Sequence, residues 1–349
     1  MKECKVAMLG FGVAGKAFSR ILCDNRQGIL RKTGYDVKVT TISTATRGTL
    51  NDPRGIDLDR AIRQVEEQGH FDRSAEGYCE WSAMDVVEKG DYDVLLELTP
   101  LNIWTGQPAI DHIKGAMHRG RHVVSANKGP IAWAYRELRD LAREKGVCFF
   151  YETTVMAGMP VFNMADYCLE YAKISEVKGI LNATTNYILE QMELGIPKDK
   201  IYENGRKGGF MEADPSMDVD GYDAAAKLTS LLNVLMDAGI TPDQIDRTGI
   251  GDVTQEEVMA AVSRGNKLKL ICRGTIVDGK VRGTVRPEEI PETDAFAGPD
   301  VVAVVSLTTD LMGRLTLVQY GLEPAQTGYG VLIDLIRVVR EGNQAVWNK

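Results

Sequence analysis

Glu212, Asp214, Asp218, Asp220 and Asp223 crowd one stretch that ends in Lys227. Tyr222-Asp-Ala-Ala-Ala-Lys-Leu-Thr-Ser-Leu-Leu232 is a strong helix former, with Asp218 or Asp220 placed to cap it. On that helix Asp223 and Lys227 are four residues apart, on one face and about a turn from each other. Two readings follow. One is a solvated ion pair, worth roughly 0.2–0.5 kcal/mol. The other is a lysine held near packed surface by its Ala- and Leu-rich flank, where it can donate or accept a proton. A calcium loop is excluded, because the Asp spacing is wrong and the closing Glu is missing.

A second group of residues suits phosphate. The apolar run Lys5–Leu9 meets Gly10-Phe11-Gly12-Val13-Ala14-Gly15, and Lys16 to Leu22 continues as a helix. Strand, glycine loop, helix is the context of a dinucleotide site. Gly10 permits the tight turn, Gly12 lets backbone approach a pyrophosphate, and Gly15 allows close helix–strand packing. The helix N-terminus adds bare N–H groups and a positive dipole end. Gly10 to Lys16 also fits the phosphate loop of nucleotide hydrolases, but Ala17 stands where Mg²⁺ needs a hydroxyl, so the dinucleotide reading is preferred. The second strand, Asp36 to Ser43, runs into Thr44-Ala45-Thr46-Arg47 without the carboxylate that would hold an NAD ribose. Arg47 is then a partner for a 2′-phosphate or a plain loop cation; the lean is toward NADP(H) over NAD(H).

Positioning these groups requires an alternating sheet. A strand over 92–98 ends at Thr99, Pro100 and Asn102, and a strand over 121–125 ends at Ser125-Ala-Asn127-Lys128. Ligands bind outside the carboxyl ends of such strands, which puts these residues and Lys128 in the crevice of the glycine loop. His112, His118 and His122 are divided between a helix (108–119) and a strand, which favours surface or packing roles over metal ligation. A helix over 131–145 and a strand over 147–151 follow. Glu152-Thr-Thr-Val155-Met-Ala157-Gly-Met159-Pro160 then leaves the sheet as irregular backbone. It reads equally as an interdomain hinge or as a carboxylate and spaced carbonyls holding a hard cation.

Beyond it lie helices over 161–172, 198–208, 221–236 and 254–264, a strand over 177–181, and paired strands 267–276/280–285 and 301–307/314–320. Asp278-Gly279 turns the first pair. A loop at Thr327–Gly330 precedes a closing helix over 331–340. This predicts an α/β protein: a Rossmann-type NAD(P)-binding domain (1–151), an α+β catalytic and dimerisation domain (152–325), and a C-terminal segment (326–349) packing back on the first. Residues 51–80 carry no readable chemistry.

Bulk properties agree with a soluble enzyme. The chain has 349 residues, 44% apolar, enough for two domains. A formal charge of −8 argues against nucleic acid or an anionic membrane as partner. No apolar run approaches the roughly 20 residues of a membrane span, and the N-terminus shows no signal-peptide core. Six scattered cysteines without a C-x-x-C pair suit free thiols in a reducing cytoplasm.

With both halves read, the sequence resembles homoserine dehydrogenase. The resemblance rests on Gly179-Ile-Leu-Asn-Ala-Thr-Thr-Asn-Tyr-Ile-Leu189 and Asp214-Pro-Ser-Met-Asp-Val-Asp-Gly-Tyr-Asp-Ala-Ala-Ala-Lys227, supported by the glycine loop, Ser125–Lys128 and Glu152–Pro160. It covers nearly the whole chain, thinly over 20–90. It implies interconversion of L-homoserine and L-aspartate 4-semialdehyde, in threonine and methionine biosynthesis, by a homodimer. Lys227 would lie near the reacting oxygen with Asp223 beside it, and Lys128 would reach cofactor and substrate. Glu212 and Asp218 would hold the substrate ammonium, with Thr184 also at the substrate. Glu152, Val155, Ala157 and Met159 would form a site for Na⁺ or K⁺, and Gly330 would contact the cofactor. The family's small-residue loop before its last helix is replaced here by Gly321-Leu-Glu-Pro-Ala-Gln-Thr-Gly328-Tyr-Gly330, which puts contacts there in doubt. The family's appended regulatory (ACT) domain has no counterpart, so amino-acid feedback through it is not expected. A same-fold dehydrogenase of another amino-acid-derived aldehyde, or a non-catalytic NADP-binding protein, are the competing readings. The intact Lys128, Asp223 and Lys227 argue against the binder.

Overall fold

A computed structural model describes residues 2–208, 211–212, 214–298, 301–321 and 323–342, the Val301 side chain excepted. The part of the C-terminal segment beyond Gly342 lies outside the described residues. The chain forms two compact units: one runs from the N-terminus to Pro160 and resumes at Glu323, and the other begins at Val161.

The first unit runs β1 (Lys2–Leu9), α1 (Val13–Thr33), β2 (Tyr35–Thr44), β3 (Gly48–Asn51), α2 (Leu58–Gln68), β4 (Tyr78–Cys79), α3 (Ala83–Lys89), β5 (Val94–Glu97), α4 (Ala109–His118), β6 (His122–Ser125), α5 (Lys128–Lys145), β7 (Phe149–Phe150) and α6 (Thr153–Met156). Its sheet has the order β4-β3-β2-β1-β5-β6-β7. β2, β1, β5, β6 and β7 are parallel, and β3 and β4 extend the β2 edge antiparallel. The strand order reverses between β1 and β5, the switch point at which doubly wound sheets bind ligands. The silent region 51–80 thus holds an amphipathic helix, α2, with Leu58, Ala61, Ile62 and Val65 buried and Asp57 accepting from Arg60 N at its start.

The second unit runs α7 (Val161–Cys168), β8 (Ile174–Ile180), α8 (Ala183–Glu193), α9 (Lys198–Lys207), α10 (Ser216–Val219), α11 (Tyr222–Met236), β9 (Asp246–Arg247), α12 (Gln255–Ser263), β10 (Asn266–Val277), β11 (Lys280–Pro291), β12 (Val301–Thr309) and β13 (Gly313–Tyr320). Its sheet order is β13-β12-β8-β10-β11-β9. Asp278 and Gly279 turn β10 into β11 with φ of 51° and 72°, the left-handed pair that a two-residue hairpin demands. Gly274 and Gly283 face each other across that hairpin. A Cβ at Gly274 would lie 2.1 Å from Leu232, and one at Gly283 would lie 3.1 Å from it. The paired glycines therefore make the notch into which α11 settles. On the opposite parity, Ile271 joins Ile180, Ile290, Phe296 and Val304 in a separate cluster.

The last helix, α13 (Pro324–Glu341), returns to the first unit and starts earlier than 331. The expected loop at Thr327–Gly330 is helical because both glycines are packing positions: a Cβ on Gly328 would lie 2.6 Å from backbone of Ala17 and Phe18. Val331, Leu335 and Val338 join Phe18, Leu22, Val39 and Phe150 in one core.

Candidate functional site

The glycine loop is shaped by its neighbours. Gly10 has φ 97°, and a Cβ there would sit 2.3 Å from Leu98 O, so only glycine fits against the end of β5. A Cβ on Gly15 would lie 2.9 Å from Gly10 O and 3.0 Å from Met8 Sδ. Gly12 is different: no atom lies within 4 Å of its Cβ position. It caps α1 without any side-chain hydrogen bond, and the first turn carries no acid. That leaves an open, positive helix end suited to a pyrophosphate. Val13 is exposed and Ala14 half-buried, whereas Phe11 is buried against Phe71. Arg47, in the turn after β2, donates through Nη1 to Phe11 O at 2.7 Å, which holds its guanidinium on the loop.

At the carboxyl ends of β5 and β6 the backbone is tied together by a buried network. Glu97 is fully buried and accepts from Thr99 N at 2.9 Å, from Thr99 Oγ1, and from His112 Nδ1 at 2.8 Å. A carboxylate removed from water needs such donors. Asn127 Nδ2 donates to Thr99 O at 3.1 Å, while Asn127 Oδ1 accepts from Gly129 N at 3.0 Å and caps α5. Ser125 Oγ accepts from Asn127 N at 3.1 Å. Lys128 therefore stands on the first helical position of α5, not in a free loop, and Pro100, next to Thr99, is exposed. His122 has a different partner, accepting from Cys148 N through Nδ1 at 3.0 Å, and burial holds its imidazole below its usual range.

Glu152 to Met159 contains a helical turn, α6, where irregular backbone was expected. Glu152 and Val155 are buried, Ala157 has φ 50°, and Met159 is half-buried. Asp334 of α13, 1% exposed, accepts from Glu152 N at 2.8 Å. A Cβ on Gly330 would strike Thr153 Oγ1 at 2.5 Å and Ala157 O at 3.1 Å, so α13 presses directly on this turn. Thr153 Oγ1 is buried with no hydrogen-bond partner among the described residues. No cluster of three or more His, Cys, Asp or Glu able to hold a metal occurs among the described residues. The donors at 152–159 are instead one carboxylate, a hydroxyl and carbonyls, oxygen ligands of the kind that suit a hard cation.

In the second unit the acidic stretch folds onto Asn182. Lys227 Nζ lies 2.9 Å from Asp223 Oδ2 and donates to Leu181 O at 2.8 Å. Their side chains are only 18% and 13% exposed, which removes the solvated-pair reading. Asn182 Nδ2 donates to Asp218 Oδ1 at 2.6 Å and to Asp223 Oδ2 at 2.9 Å. The expected cap of α11 by Asp218 or Asp220 is not formed. Gly221 takes that position with φ 80°, because the Asp218 carboxylate is turned to Asn182. Cys272, fully buried, donates weakly to Ala224 O, and burial pushes its thiol up to about 12. Thr184 is half-buried in the first turn of α8, and Glu212 is exposed.

The structure thus brings Asp218, Asp223 and Lys227 together. The sequence assigns no role to Asn182, Glu97 or Asp334, and gives His112 only a surface or packing role without its Glu97 partner. Only Asn182 carried a signal, as part of the run Gly179–Leu189, and the helix α8 that it caps was not among the expected elements.

A Rossmann-type unit with an uncapped glycine loop, together with an α+β unit bearing a half-buried lysine–carboxylate site, defines a dinucleotide-linked oxidoreductase. A protein-family model described as homoserine dehydrogenase matches residues 160–336. The chain is 36% identical to a homoserine dehydrogenase of Methanocaldococcus jannaschii, over 95% of this chain and 98% of that one. It is 30% identical to an NAD(+)-dependent homoserine dehydrogenase of Pseudomonas canavaninivorans, over 97% of each. Among solved structures, a hyperthermophilic archaeal homoserine dehydrogenase in complex with NADPH superposes with a TM-score of 0.82 at 27% identity, over 96% of this chain and 97% of that one. The chain belongs to the homoserine dehydrogenase family.

Proposed function

We propose that this chain interconverts L-homoserine and L-aspartate 4-semialdehyde with a nicotinamide dinucleotide, NADP(H) in preference to NAD(H), as a cytoplasmic homodimer serving threonine and methionine biosynthesis. One observation carries the reading: Lys227 is held at 2.9 Å from Asp223 and 2.8 Å from Leu181 O, beside the Asp218 carboxylate, in a half-buried site. An amino-acid substrate explains such a carboxylate wall, because its ammonium needs a negative partner. No helix of the described residues is long and apolar enough to cross a membrane.

Asp218 and Glu212 hold the substrate ammonium, with Thr184 at the same substrate. As the substrate C–O bond gains or loses double-bond character, Lys227 exchanges one proton with that oxygen. Asp223 fixes the direction of the Lys227 ammonium and keeps it close to the helix. A bound nicotinamide dinucleotide supplies the hydride acceptor or donor. The backbone of Gly10, Phe11, Gly12, Val13, Ala14 and Gly15 would hold its pyrophosphate, and Arg47 would pair with a 2′-phosphate. Thr99, Pro100, Ser125, Asn127, Lys128 and Gly330 would complete the dinucleotide site. Glu152, Val155, Ala157 and Met159 would hold Na⁺ or K⁺, which would brace that turn without entering the reaction. In this reading residues 1–151 bind the dinucleotide, 152–325 hold the substrate, and the closing segment serves the former. Both an NAD(+)-dependent and an NADPH-bound relative support a nicotinamide cofactor.

The test is an absorbance assay of purified protein with homoserine and each cofactor in turn. Turnover with NADP⁺ above NAD⁺ is expected. Oxidation of NADPH with another aldehyde but not with aspartate semialdehyde would overturn the substrate assignment.

A further inference from the structure

We infer that Asn182 is a positioning residue whose single amide holds the substrate-binding and proton-handling carboxylates in one geometry. The inference rests on the roles proposed above for Asp218, Asp223 and Lys227. Asn182 is 4% exposed, and all of its polar side-chain atoms are engaged. Its Nδ2 donates to Asp218 Oδ1 at 2.6 Å and to Asp223 Oδ2 at 2.9 Å. Its Oδ1 accepts from Thr185 N at 2.8 Å and so caps α8. The amide orientation follows from this network, since the reversed amide would turn an acceptor oxygen toward two carboxylates.

Three elements meet at this residue. Asp218 belongs to α10, Asp223 and Lys227 to α11, and Asn182 to the start of α8. Two carboxylates on different helices repel each other, and a neutral double donor between them offsets that without adding charge. Asp223 Oδ2 then receives two donors, Asn182 Nδ2 and Lys227 Nζ, which leaves the carboxylate little freedom to rotate. The backbone strengthens the arrangement, because Leu181, adjacent to Asn182, accepts from Lys227 at 2.8 Å. The dipeptide Leu181-Asn182 therefore sets the lysine through its carbonyl and the carboxylates through its side chain.

The rival account is that Asn182 merely caps α8, and two variants separate the two. Serine and aspartate are both good N-caps, so Asn182→Ser and Asn182→Asp keep the cap. Serine offers one short donor in place of the two-proton amide. Aspartate, nearly the same shape, offers none and adds a third negative charge. If positioning is the role, both variants keep their thermal stability near wild type or, for Asn182→Asp, below it. Both bind NADP⁺ with wild-type affinity by fluorescence titration. Both lose kcat/KM for homoserine by roughly 10-fold or more, as expected when hydrogen bonds to charged groups are removed. Asn182→Asp should be the more damaged.

Wild-type kcat and KM in both variants would leave capping as the sole role and overturn the inference. If Asn182→Asp does not fold, Asn182→Ser decides alone. If wild-type protein turns over no homoserine, the functional reading fails separately. A crystal structure of Asn182→Ser then tests positioning directly: displaced Asp218 and Asp223 carboxylates support it, and unmoved ones overturn it.

Discussion

Lys227 Nζ stands 2.9 Å from Asp223 Oδ2, one helical turn away on α11, with both side chains largely removed from solvent. An exposed pair at this spacing would contribute little, but a half-buried pair with a backbone carbonyl as second acceptor has a fixed direction. The Lys227→Ala variant should lose kcat by about 10² or more, the usual size of a general acid–base contribution. Cofactor affinity should be retained, because the glycine loop belongs to the other unit. Steady-state kinetics beside a cofactor titration check both parts, and near-normal turnover would remove Lys227 from the proton step.

Arg47 is held on the glycine loop by its bond to Phe11 O, so its charge is fixed where a 2′-phosphate is expected to arrive. Arg47→Asp should lower kcat/KM with NADP⁺ and shift the preference toward NAD⁺, because a carboxylate repels the phosphate and pairs with a ribose 2′-hydroxyl. An unchanged ratio of the two cofactors would mean that Arg47 only braces the loop.

Two glycines should respond to alanine in opposite directions. At Gly328 a Cβ would meet backbone of Ala17 and Phe18 at 2.6 Å, and backbone cannot rotate away. Gly328→Ala should lower Tm by several degrees, matching an overpacking cost of about 1–3 kcal/mol. Gly28 lies within α1 with nothing within 4 Å of its Cβ position. Gly28→Ala should raise Tm slightly, since alanine suits a helix interior better by about 0.5–1 kcal/mol. Calorimetry on both variants reads the contrast.

Glu193 offers a pH test in the second unit. Its Oε1 is buried without a hydrogen-bond partner among the described residues, and Lys267 lies 3.6 Å from its Oε2. Burial pushes its carboxyl above the ordinary range against the pull of Lys269 and Lys267. The folded protein thus favours the protonated form more than the unfolded chain does. The associated stability is fully present below the unfolded pKa of about 4.3 and is lost as pH rises through the raised value. Glu193→Gln escapes that loss, so its Tm should exceed that of wild type near pH 8, with the gap closing toward pH 4. Equal Tm values across that range would show that the two lysines fully compensate the charge.

Local patterns were enough for much of the architecture. Strand, glycine loop and helix at Lys5–Leu22 need only short-range sterics, and β1 and α1 form there. Asp278-Gly279 specified its hairpin by backbone preference alone. The helix carrying Asp223 and Lys227 followed from propensity, to within a residue of its ends. Where reading failed, a distant partner had overridden a local rule. Gly328 and Gly330 look like loop residues until Ala17, Phe18 and Thr153 are seen pressed against them. Asp218 looks like a cap until Asn182 is seen to claim it. Glu97 was one more residue of a buried strand, and its partner His112 lies on the following helix.

The types and spacings of Gly10 to Gly15 by themselves pointed to a dinucleotide, because a phosphate-cradling turn is a short-range feature, whereas the one-turn spacing of Asp223 and Lys227 fitted a solvated pair as well as a proton-handling one. Tertiary structure alone decided which carboxylates lie together. Asn182 and Asp218 are separated by α8 and α9 along the chain, and only folding brings one amide within 2.6 Å and 2.9 Å of two carboxylates. A hydrogen bond depends on distance in space, and the order of residues along the chain does not contain that distance.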